Sequence, residues 1–115
     1  SFTTFLLSYW ARDRVKGERL GLEKAVHMLT GANAAHGGFT DRGTIAVGKR
    51  ADLNVIDFER LALKSPHMVR DLPAGGQRLL QDAVGYRATL VAGVPVIEND
   101  ALTGAKPGRL VRMGR

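Results

Sequence analysis

At Gly43 the apolar period of this chain changes from about 3.6 residues to 2. Before that point Phe2, Phe5, Leu6, Tyr9 and Trp10 recur at helical spacing, and so do Leu22, Ala25, Val26 and Leu29. After it, Thr44-Ile45-Ala46-Val47 reads as a short strand and Gly48-Lys49 as a turn. Leu53-Asn54-Val55-Ile56-Asp57 follows as a β-branched strand. A chain with its helices first and its strands afterwards is α+β, or joins pieces of two domains.

The first helix is predicted to be capped by Ser1 or Thr3. It carries Arg12, Arg14 and Lys16 toward the negative end of its dipole and stops at Gly17. Its aromatic stripe is expected to be core rather than a cofactor box. The second helix follows Gly21 and ends at Thr30-Gly31. The small-residue run Ala34, Ala35, Gly37, Gly38 leaves room for one further turn. Leu61 to Pro73 is predicted to be irregular, with a single helical turn opened by Ser65-Pro66. Tyr86–Ala92 and Val94–Glu98 read as a hairpin closing at Ala92-Gly93, although Ala resists positive φ. Pro95 calls for an edge or a non-bonded position. Asn99-Asp100 is a further turn. The count is three to five short strands with long loops. The helices present strong apolar faces with little partner surface in the chain, which points to cover from elsewhere, including self-association into a homo-oligomer through those faces.

The 115 residues carry a formal net charge of +6, spread along the whole length. Only the tail concentrates it, in Lys106, Arg109, Arg112 and Arg115. No aromatics interleave with these charges to make a stacking platform, so nucleic acid is not an expected partner. A basic binding or interaction module without catalysis stands as the alternative function. No apolar run approaches the roughly 20 residues that span a bilayer, so no membrane partner is expected. The absence of Cys excludes disulfides and thiolate metal ligands and suits a reducing, cytoplasmic setting.

The motifs that could carry chemistry fall away one by one. Gly43-Thr44-Ile45-Ala46-Val47-Gly48-Lys49-Arg50 has P-loop spacing, but Arg50 replaces the hydroxyl that holds Mg²⁺, and a strand follows where a helix is needed. His27, His36 and His67 form no His-x-His pair. Glu23 and His27 share a helix face without a third ligand. No Gly-x-Ser-x-Gly is present. Asp52 and Asp57 would point to opposite faces of one strand. Asp52 is expected to tie down the turn beside Gly48-Lys49, and Asp57 to end its strand and cap the loop after it. By its own residues the chain shows no catalytic or metal site.

Gly48-Lys49-Arg50-Ala51-Asp52-Leu53-Asn54-Val55-Ile56-Asp57 resembles the Gly-Lys-x-Ala-Asp signature near the C-terminus of metal-dependent amidohydrolases. Upstream, Ala25–Thr30 and Gly38–Gly43 are similar to that family's helix and Asp-Arg-Gly turn, with Asn33-Ala34 where most relatives have Pro-Ala. Ser1–Leu7, Tyr9-Trp10, Arg12–Val15, Asp71–Leu79 and Gly104–Arg112 resemble the N-acyl-D-amino-acid deacylase (D-aminoacylase) branch. The resemblance covers nearly the whole chain.

That resemblance implies a TIM barrel with a small β-sandwich. Residues 1–40 would supply terminal helices of the catalytic barrel, and residues 41–115 the C-terminal part of the β-sandwich domain with long loops. It implies hydrolysis of the amide of N-acyl-D-amino acids, with zinc activating water in the full-length parent. The metal ligands and the proton-handling aspartate would precede Ser1, so no zinc is expected in this chain and the chain alone should be inactive. Its partner would be the remainder of the barrel. The first helix would start near the active-site mouth, which makes Ser1, Thr3 and Thr4 the substrate-proximal residues.

Overall fold

A computed structural model describes residues 1–111 of the chain. It is α+β, with helices first and short antiparallel strands after them. Helix α1 (Phe2–Phe5) runs directly into a π-helical segment, Leu6–Asp13, whose wider turn is closed by the bond from Arg14 N–H to the Tyr9 carbonyl at 2.8 Å. Ser1 occupies the cap position, but its side chain makes no capping bond, and Thr3 lies inside the helix. The helix stops at Asp13, so Arg14 and Lys16 lie beyond it. Helices α2 (Leu22–Leu29) and α3 (Gly31–His36) follow. The second of these is the further turn that the small-residue run allows.

The aromatic stripe is not core among the described residues. Phe2 is 74% exposed, and Phe5, Tyr9 and Trp10 are also on the surface. The buried side of the helix is Thr4, Leu7 and Ser8. Leu7 packs with Ala25 of α2 and with Leu61, and Ile56, Phe58 and Tyr86 close around them. Periodicity located the apolar face, but the element available to bury a face lies on the other side. The stripe instead packs within itself. Phe5 stacks on Tyr9 at 5.1 Å, Tyr9 meets Trp10 edge-on at 5.6 Å, and the Arg14 guanidinium sits 4.4 Å from the Trp10 ring centre.

The main sheet has the order β1-β6-β7-β8, all antiparallel. It uses β1 (Leu53–Ile56), β6 (Tyr86–Val91), β7 (Val94–Glu98) and β8 (Ala101–Leu102). The β6–β7 hairpin closes at Ala92-Gly93 with φ of 51° and 80°, the left-handed pair that a two-residue hairpin turn requires. Ala92 accepts that conformation because its N–H is held by Asp52 Oδ1 at 2.8 Å and Gly93 N–H bonds the Ala51 carbonyl at 2.9 Å. Pro95 sits beside an irregularity in the β6–β7 register, where a missing N–H costs little.

Two sequence expectations are corrected here. Residues 44–47 form no strand: Ile45 is 90% exposed and no neighbour pairs with it. A strand needs a partner edge, and none reaches this segment. Conversely, the stretch Leu61 to Pro73 is not irregular throughout, since it contains strands at Ala62–Leu63 and His67–Val69, and Ser65-Pro66 opens no helical turn. Residues 61–84 fold back on themselves as a two-stranded ribbon. β2 (Ala62–Leu63) pairs with β5 (Ala83–Val84), and β3 (His67–Val69) pairs with β4 (Arg78–Leu80). Between the two ladders Lys64 N–H bonds the Asp82 carbonyl at 2.9 Å, and Gln81 donates to the Lys64 carbonyl at 3.1 Å. The described strands number eight, because strands of two or three residues leave no alternation to read.

Candidate functional site at the helix start

Thr4 is 3% exposed, and its Oγ1 hydrogen bonds with the Tyr86 hydroxyl at 2.8 Å. Ser8 Oγ donates to the Thr4 carbonyl at 2.9 Å. Ser1 and Thr3 are exposed on the same first turn. Of the three residues named from the sequence, one is therefore fastened to the sheet and two face outward. Tyr86 gave no sequence signal for this role, since the contact spans 82 positions.

Arg12 is the second fastening. Its guanidinium donates to both oxygens of Asp13 at 2.6 and 2.9 Å, to the Glu59 carbonyl at 3.1 Å, to the Leu61 carbonyl at 2.8 Å and to the Phe58 carbonyl. All five N–H groups are used, and the fork lies 5.6 Å from the Phe58 ring centre. The sequence places Arg12 only toward the negative end of the helix dipole. The structure makes it a staple between the helix and the loop after β1.

Asp57 ends β1 as expected, accepting from Arg60 N–H at 3.3 Å and pairing with Arg87 at 2.7 Å. Asp52, expected to tie down the Gly48-Lys49 turn, instead binds Arg50 and Arg42 and accepts from the Ala92 N–H of the β6–β7 turn. The Arg87 bond holds the Asp57 carboxyl below the usual carboxylate range, and Arg78 does the same for Asp71. Arg12 and Arg42 lower Asp13 and Asp41. For Asp52 burial pushes upward, but the Ala92 N–H, Arg50 and Arg42 together prevail and lower it. These folded values lie below the reference of 3.8. The pairs therefore stabilise fully above that reference, and the contribution is lost as pH falls through the lower folded values. The urea midpoint is expected to stay level from about pH 7 to 5 and to drop below about pH 4. A midpoint that falls between about pH 7 and 5 would contradict this.

The charges assemble no reaction centre among the described residues. No three His, Asp or Glu side chains come together as a metal set. His27, His36 and His67 lie on α2, on α3 and in β3. The segment with P-loop spacing is an exposed turn, and Lys49 Nζ binds the Thr40 carbonyl instead of standing free. An open cleft of about 580 Å³ lies between the ribbon and the main sheet, lined by Lys64, Asp82, Tyr86, Thr89 and Asp100 among others. It holds no nucleophile beside a base. What this region does chemically is fix the start of one helix against one sheet. No helix among the described residues is long and apolar enough to cross a membrane.

The amidohydrolase family profile matches residues 3–97, from the first helical turn into β7. The chain belongs to the amidohydrolase family. Within it, the chain is 35% identical over 109 residues to a D-aminoacylase of Alcaligenes xylosoxydans xylosoxydans, covering 92% of this chain and 19% of that protein. It is 33% identical over 104 residues to an N-acyl-D-aspartate deacylase of the same organism, covering 90% and 19%. This amidohydrolase chain thus spans about a fifth of the length of the relatives it matches. No solved structure gives a significant match.

Proposed function

We propose that this chain is the C-terminal segment of a zinc-dependent hydrolase that cleaves the amide bond of N-acyl-D-amino acids. The observation that carries the reading is the match to two deacylases over nine-tenths of the chain or more. In this reading the helices before about residue 40 complete a TIM barrel, and the strands after it belong to a small β-sandwich. The rest of the barrel is the partner of the helices, and Ser1, Thr3 and Thr4 lie nearest the substrate. Among the described residues no three His, Asp or Glu side chains come together, and in this reading the zinc ligands are supplied by the rest of the protein.

Two physical observations support a role as part of a larger whole. The chain exposes 8695 Å², against about 6100 Å² for a self-contained monomer of its mass. Its exposed apolar side chains include the clustered ring stripe of Phe2, Phe5, Tyr9 and Trp10, a surface suited to burial against further protein. The contribution of this chain is then architectural: it sets the last helical turns and the sheet behind them. The test is turnover of N-acyl-D-amino acids by the whole protein and by the isolated chain, each with added zinc. The whole protein is expected to release the D-amino acid and the isolated chain to stay at blank. Turnover by the isolated chain would refute the architectural role.

A further inference from the structure

Tyr86 is half-buried, with its backbone fixed in the sheet and its hydroxyl bonded outside the sheet. Its N–H is taken by Asp100 Oδ1 at 2.6 Å, and its carbonyl accepts from Asp100 N–H at 2.9 Å. Asp100 can do both because it and Asn99 adopt left-handed φ of 66° and 48° in the turn after β7. On the other side Tyr86 opposes Ile56, where the β1–β6 register shifts. The backbone of Tyr86 is therefore fixed by a turn on one flank and an irregular pairing on the other. Its ring packs against the buried cluster of Leu7, Ala25 and Leu61, and its hydroxyl ends on Thr4 Oγ1 at 2.8 Å. Thr4 is itself locked, since its carbonyl accepts from Ser8 Oγ.

We infer that Tyr86 is a positioning residue: through Thr4 it fixes the first turn of α1, and with it the proposed substrate-proximal residues Ser1 and Thr3. The inference rests on the deacylase reading above. A hydroxyl pair can do this where apolar packing cannot, because a hydrogen bond fixes direction as well as distance. Small misplacements at a reacting centre have large rate effects. Tyr86 touches no substrate in this account; it acts through the helix.

The test uses the whole deacylase with Tyr86→Phe, Thr4→Val, Thr4→Ser and the Tyr86→Phe/Thr4→Val double variant. Tyr86→Phe and Thr4→Val are each expected to lower kcat about tenfold with KM within about twofold. The double variant should be no slower than either single one. Thr4→Ser keeps the hydroxyl and should keep the slow amide exchange of Phe5 and Leu6. Amide exchange of Phe5 and Leu6, whose N–H groups bond the carbonyls of the first turn, should quicken in Tyr86→Phe while that of α2 does not. Unchanged exchange in that turn overturns the anchor whatever the activity does. Quickened exchange with unchanged kcat overturns its role in the reaction. Additive losses, or losses that follow a general fall in thermal midpoint, also overturn it. A wild-type protein inactive on all N-acyl-D-amino acids, with exchange quickened as expected, would instead strike the deacylase reading and remove the catalytic consequence along with it.

Discussion

Gly85→Ala is expected to destabilise the protein by about 3–5 kcal/mol, enough to abolish soluble folded material at moderate temperature. Gly85 lies where the ribbon returns to the main sheet, at φ of 104°, a backbone setting that side chains rarely adopt. A Cβ there would sit 2.7 Å from Leu61 Cα, 2.9 Å from Leu61 N and 3.1 Å from the Asp57 carbonyl oxygen. All three are backbone, so no rotamer change relieves the contact. Leu61 is fully buried, and Asp57 N–H bonds the Gly85 carbonyl at 2.8 Å, so neither strand end can withdraw freely. Gly48→Ala is the control. Gly48 also has positive φ, at 84°, but nothing lies within 4 Å of its would-be Cβ. Only conformational strain remains there, about 1–2 kcal/mol. Soluble yield and unfolding midpoint of the two variants measure the difference. Equal losses would mean that the Leu61 approach is not tight.

The second large effect is expected at Arg12. Arg12→Ala removes the donor to three backbone carbonyls of the Phe58–Leu61 loop and leaves them facing a half-buried gap. A loss of about 2–4 kcal/mol follows from unsatisfied carbonyls and lost packing on Phe58. Arg12→Lys should recover less than half of it, because a single ammonium cannot serve Asp13 and three carbonyls at once. Urea midpoints of the three proteins decide the matter. A fully restored Lys variant would show that charge alone, without the fork, holds the loop.

What was legible in the sequence follows from how local each cause is. The β6–β7 hairpin and the Asn99-Asp100 turn could be read because a turn's chemistry lies in adjacent residues. The strand at Leu53–Ile56 announced itself through β-branched residues and the aspartate that ends it. The ribbon of residues 61–84 could not be read, because Pro66 interrupts it and each ladder is too short for alternation. Residues 44–47 misled for the opposite reason: a fitting pattern met no partner edge. The helix stripe misled because period reveals a face and not what covers it. The Thr4–Tyr86 and Arg12–Leu61 links join residues 82 and 49 positions apart, and no local rule reaches that far. Of the basic tail, Arg112 and Arg115 lie outside the described residues.

The most direct test of the account is to offer the whole protein matched N-acyl-D- and N-acyl-L-amino acids before chelation, after it, and after zinc is returned. The account predicts release of the D-amino acid alone, loss of that release with the chelator and its recovery with zinc. Release from the L-substrate in preference to the D-substrate, or D-release untouched by thorough chelation, would contradict it.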